Sequence, residues 1–145
     1  MTTSYYRLAC MLPWLLLATP ALAELRIEDA YVRGLPPGVA NTAAYLRIVN
    51  TGNTTLALIG GSTDVAEQLQ LHGVMNHDGM LHMMPHDSLD IPPGGELQLE
   101  SGGNHIMLVG LHEALPAGAT VTLTLQFSDG SSQVVNAPVR SVLDE

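Results

Sequence analysis

Val121-Thr122-Leu123-Thr124-Leu125-Gln126-Phe127 is the most regular stretch of the chain, with every odd position apolar and every even one polar. A period of two sends alternate side chains to opposite sides of an extended strand, so one face is core and the other solvent. The same grammar recurs on both sides of it. Candidate strands are Arg26 to Arg33, Ala43 to Asn50, Thr55 to Ile59, Gln68 to His72, Met80 to Met84, Glu96 to Glu100, His105 to Val109 and Gln133 to Val139. Between them stand turn formers: Pro36-Pro37-Gly38, Asn50-Thr51-Gly52-Asn53, Asp78-Gly79, Pro92-Pro93-Gly94-Gly95, Pro116-Ala117-Gly118 and Ser128-Asp129-Gly130. No segment has helical period. Many short strands with turns at this spacing predict a single all-β domain, a sandwich or barrel.

The N-terminus reads differently. Arg7 precedes an apolar run from Leu8 to Leu17, and Ala21-Leu22-Ala23 supplies a small-x-small ending, which predicts a signal peptide over residues 1–23 and a mature domain over 24–145. A core of about ten apolar residues broken by Pro13 is half of the roughly 20 that a spanning helix needs, so no membrane insertion is expected after cleavage. Cys10 follows Arg7-Leu8-Ala9, a poor context for lipid attachment. It is the chain's only cysteine and leaves with the leader, so no disulfide is expected.

The whole chain carries 14 acidic residues against 5 Lys and Arg, a formal charge of −9, and losing Arg7 makes the mature domain more negative still. Such a surface repels phosphate backbones and anionic headgroups, so nucleic acid and membrane-surface binding are disfavoured. It suits cations.

All 6 histidines fall between His72 and His112; of the 7 methionines, Met1 and Met11 lie in the leader and Met75, Met80, Met83, Met84 and Met107 share the histidine region. Thioether sulfur is soft and imidazole borderline, a combination that selects Cu(I) over the hard divalent ions. Zinc sites draw on Cys, His and carboxylates instead. Within His105-Ile106-Met107 the two donors are two apart on a strand and share a face, while Ile106 and Leu108 turn to the core. Leu69 and Leu71 alternate with Gln68, Gln70 and His72, which puts His72 on the polar side. Met83 is brought near through the Asn76-His77-Asp78-Gly79 turn. For Met75, Met80 and Met84, packing or rim exposure is as good a reading as ligation. For His77, His82, His86 and His112, ordinary solvation is the simpler one. Asp64, Glu67, Asp78 and Asp87 read as solvating charges, one of which could orient a ligand histidine.

These residues resemble the periplasmic copper chaperones of the PCuAC family, whose motif is His, ten residues, Met, twenty-one residues, His-x-Met. His72, Met83, His105 and Met107 fill all four positions at that spacing. Asp29-Ala30-Tyr31-Val32-Arg33, Pro36-Pro37-Gly38, Ala43-Ala44-Tyr45-Leu46 and Asn50-Thr51-Gly52 are similar to the family's N-terminal half. Ala66-Glu67 through His72 and Gly103 through Leu111 are similar to its metal-binding half. The resemblance implies a cupredoxin-like Greek-key β-sandwich holding one Cu(I) per chain on His72, Met83, His105 and Met107. It further implies delivery to the binuclear copper centre of a respiratory cytochrome c oxidase, with oxidase subunit II or another copper chaperone as the accepting partner. Gly73 stands where the family commonly has an acidic residue, and Asn104 where it often has an apolar or aromatic one. The chain ends at Ser141-Val142-Leu143-Asp144-Glu145 without the His- and Met-rich tail of some members, so a tail-borne Cu(II) site is not expected.

Competing functions differ in ligand chemistry. A blue-copper electron carrier needs His₂Cys, which a domain without cysteine cannot build. A copper enzyme needs an open coordination position and catalytic groups, and no nucleophile–base or paired-carboxylate signature is present. A periplasmic copper scavenger without a dedicated oxidase partner is the alternative to the carrier.

Overall fold

The computed structural model describes residues 25–143, all of them strand, turn or loop. The signal peptide expected over 1–23, with Cys10, lies outside the described residues. Ten strands follow in order: β1 (Leu25–Gly34), β2 (Asn41–Asn50), β3 (Leu56–Thr63), β4 (Ala66–His77), β5 (Met80–His86), β6 (Leu89–Ile91), β7 (Glu96–Leu99), β8 (His105–Leu111), β9 (Thr120–Phe127) and β10 (Ser132–Ser141). All nine expected strands form. The tenth, β6, is a three-residue strand ahead of Pro92.

Two layers enclose the core. The first runs β5-β4-β8-β2-β1, with β7 taking over beside β2 where β8 leaves it. The second runs β10-β9-β3-β6. β10 joins them: Ser132–Pro138 pairs antiparallel with β9, and Val139–Ser141 pairs parallel with Val32–Gly34 of β1. The changeover falls at Pro138, which has no N–H to give to a ladder. Gly61 is a second point where backbone space decides the residue. A Cβ there would stand 2.3 Å from the Thr124 carbonyl oxygen, so only glycine lets β3 lie this close to β9.

The period of two in β9 is realised in full: Val121, Leu123, Leu125 and Phe127 are buried, and Thr120, Thr122 and Gln126 are exposed. They meet Leu46, Ile48, Ile106 and Leu108 from the first layer. Asn50, wholly buried, ties down the turn after β2. Its side-chain amide donates to the Thr54 and Ile91 carbonyls and its Oδ1 accepts from the Gly52 N–H. Every polar group it brings into the core is thereby satisfied.

Leu125→Ala should cost about 2–5 kcal/mol of stability in urea unfolding, because it leaves a cavity in a filled core. Val134→Ala, on the outer side of β10, should cost under about 1 kcal/mol.

Candidate metal centre

β4 lies antiparallel between β8 and β5, and its register decides what faces what. His72 stands directly opposite His105 on β8, and Gln70 opposite Met107. On the other side His72 stands opposite Pro85 and Val74 opposite Met83. Cross-strand partners share a face of the sheet. His72, Met83, His105 and Met107 therefore all rise from the outer face of the first layer, as the alternation of β8 and β4 leads one to expect. Ile106 and Leu108, on the opposite parity of β8, are wholly buried in the core. The hairpin that brings Met83 back is closed by two residues, Asp78 and Gly79, both at positive φ (52° and 78°). Asp-Gly is the sequence that this two-residue loop favours. The Gly79 N–H donates to Asn76 Oδ1 at 3.1 Å, which fastens the turn.

The two imidazoles are 5.7 Å apart between ring centroids, tilted by 55°. Each is held by one nitrogen. His105 Nδ1 is 3.0 Å from the Gly103 carbonyl oxygen, an acceptor only, so Nδ1 carries the proton and Nε2 keeps its lone pair. His72 Nε2 is 2.9 Å from Gln70 Oε1, and the Gln70 amide nitrogen donates onward to Gln68 Oε1 at 2.8 Å. That chain of amides fixes the proton on His72 Nε2 and leaves Nδ1 as the bare acceptor. His72 Nδ1 is buried and, among the described residues, has no hydrogen-bond partner. A desolvated lone pair without a donor is costly unless something electrophilic meets it, which fits a metal ion. Gln70 and Gly103 do not stand out in the sequence, since a glutamine and a carbonyl acquire this orienting part only through contact.

Met83, His105 and Met107 line an open cavity of ≈ 260 Å³ together with Val74, Ala43 and Tyr45. His105 is only 4% exposed at its floor, whereas Met83 is 63% exposed at its rim. Tyr45 backs His105, at 6.5 Å between ring centroids, and the Arg33 guanidinium lies 5.3 Å over Tyr45. Arg33 also donates to Ser101 Oγ at 3.0 Å, closing the cavity wall. No three His, Cys, Asp or Glu side chains gather in a metal-holding arrangement among the described residues. A site on this face depends on thioethers as well as imidazoles.

The family model described as "Putative lipoprotein LpqE-like" matches residues 25–139, nearly the whole described domain. The chain belongs to the LpqE-like family. A curated relative, "Putative lipoprotein Lxx21020" of Leifsonia xyli subsp. xyli, is 38% identical over 117 residues, 80% of this chain and 69% of that protein. Two solved structures are similar. The copper-bound PCuAC domain from PmoF2 superposes with a TM-score of 0.69 at 23% identity, covering 81% of this chain and 92% of that one. The Cu(I) form of DR1885 from Deinococcus radiodurans superposes with a TM-score of 0.62 at 32% identity, covering 83% and 81%. The LpqE-like domain is thus the cupredoxin-like β-sandwich that the resemblance implied.

In this LpqE-like chain burial holds the His72 pKa below the ordinary histidine value of 6.5, with the neighbouring His105 and His86 rings adding to the shift. The unfolded chain takes up the proton first. The contribution of His72 to stability is therefore complete above about pH 6.5 and is lost as pH falls toward the folded value. In a metal-free NMR titration the His72 ring should reach half-protonation below pH 6.5. His72→Gln should flatten the acid side of the stability–pH curve.

Proposed function

We propose that this protein is an exported metallochaperone that holds one Cu(I) on His72, Met83, His105 and Met107 and passes it to a copper-accepting protein. The observation that carries the reading is the pair of facing imidazoles, each with one nitrogen tied back and the other free, on the face that also bears two thioethers. Two neutral imidazoles and two thioethers form a soft, uncharged set that favours Cu(I). The copper-bound PCuAC domain and the Cu(I) form of DR1885, both similar in fold, support copper as the cargo.

A carrier must also release. Met83 is the most exposed of the four, on a strand at the edge of the layer. A partner thiolate or imidazole would replace it first and take the ion by stepwise exchange, with no free Cu(I) on the way. The buried, hydrogen-bonded His105 would be the last ligand to let go. The recipient implied by the family resemblance is the binuclear copper centre of a respiratory oxidase. An envelope location is supported by the leader-like N-terminus and by relatives described as lipoproteins. Holding and handing over an ion needs no catalytic group. A second reading, copper scavenging, is favoured by the exposed Met75, Met80 and Met84 on the same hairpin.

Replacing His72 and His105 together by Ala should weaken Cu(I) binding by at least about 100-fold in competition titrations, beyond what loss of a merely supporting residue costs. Unchanged affinity would refute the ligand assignment. The wild-type affinity should fall below roughly pH 6, where a proton competes for imidazole, but incompletely, because thioethers do not titrate. Mixing the Cu(I) form with apo oxidase subunit II should move copper to the subunit. If no transfer occurs and deletion instead removes copper tolerance, scavenging is the function.

A further inference from the structure

The alternation that gathers His72, Met83, His105 and Met107 on one face sends six further soft donors of the β4–β5 hairpin to the other. On β5, Met80, His82, Met84 and His86 share one parity, while Met83 has the opposite one. On β4 the matching positions are Met75 and His77. The register places Met75 directly opposite His82 and His77 opposite Met80. Gly73 faces Met84, and Leu71 faces His86. Directly opposed side chains have their Cβ atoms about 5 Å apart, so a thioether and an imidazole meet across the Met75–His82 and His77–Met80 rungs.

This face is not core. β8 begins at His105, opposite His72, so the hairpin beyond that point is a two-stranded ribbon. Met75 is 51%, Met80 63% and Met84 44% exposed, and His77 and His82 are exposed too. Methionine exposed in this number fills no gap, its usual work. Alternation with histidine on one face, in a strongly acidic chain, is a donor array for a soft cation. The inner end is shaped as well. A Cβ on Gly73 would lie 2.2 Å from His86 Nε2 and 2.8 Å from Asn104 Oδ1, so the missing side chain makes the space in which the His86 ring lies.

We propose that the reverse face of the β4–β5 hairpin binds a second Cu(I), centred on Met75, His82 and Met84, with His86 at the inner end and Met80 and His77 at the tip. Its more exposed donors hold the ion more weakly than the cavity on the other face. It is a loading surface at the protruding end of the molecule, separated from the first face only by the hairpin's own backbone. It goes beyond the proposed function and shares with it only the identity of the cargo.

The test uses Ag(I), a Cu(I) surrogate that does not change oxidation state. Stoichiometry is read by native mass spectrometry, and the methionine methyl resonances are read by NMR. The wild-type chain should take up two equivalents, the second shifting the methyls of Met75 and Met84. M75A/H82A/M84A should retain one equivalent with an unchanged melting temperature, since its positions lie outside the core. H105A/M107A should retain the other. A wild-type chain that binds one equivalent, unaffected by M75A/H82A/M84A, overturns the inference and leaves the first site standing. Two equivalents that both survive M75A/H82A/M84A overturn it as well. One equivalent lost in M75A/H82A/M84A but kept in H105A/M107A upholds it and overturns the ligand set of the proposed function.

Discussion

The pairing of β4 with β8 in one register is the constraint on which everything else hangs. Setting His72 against His105 brings two imidazoles together across the ladder, and the same ladder fixes Met107 opposite Gln70, the residue that orients His72. A slip of one residue would turn His72 into the core and Leu71 out to solvent. Buried Leu71, Ile106 and Leu108 oppose that slip, so the hydrophobic core selects the register and the register brings the candidate ligands onto one face. The arrangement of the candidate ligands is in this sense a by-product of keeping leucines dry.

Asymmetry between the candidate ligands follows from where the strands sit in the layer. β8 is interior, flanked by β4 and β2, and delivers a buried His105 whose Nδ1 is tied to a carbonyl of its own approach loop. β5 is an edge strand and delivers an exposed methionine. One side of the candidate centre is buried and hydrogen-bonded, the other exposed. A carrier needs both, since pre-organised donors favour binding and an accessible donor favours exchange.

Much of this is legible in the residues themselves. The alternation of β9 and the turn formers specify an all-β sandwich or barrel, and the two-residue spacing of His105 and Met107 specifies their common face. The sequence predicts an end to β4 at His72, ahead of the Asn76-His77-Asp78-Gly79 turn. The strand continues to His77, since β5 supplies its hydrogen bonds. That extension matters most: without it Met75 and His77 have no assigned face. β6 escapes because three residues are too few to show a period. Gln70 and the Gly103 carbonyl escape for a different reason, as their parts are defined by proximity rather than residue type. The i, i+2 rule that picks out His105 and Met107 applies equally to Met80, His82, Met84 and His86, but only the longer β4 supplies the second strand that makes them a surface.

The space beside Gly73 ties two distant positions together. With the His86 ring lying where a Cβ would be, residue 73 can gain a side chain only if the ring swings out or position 86 becomes small, and if the Asn104 side chain also shifts. The PCuAC pattern commonly has a carboxylate after its first histidine, which would bring a negative charge next to His72 in place of an imidazole. The two positions should therefore change together among relatives of this chain. Lineages should divide between an anion at 73 with a small or outward residue at 86, and a glycine at 73 with an imidazole folded over it.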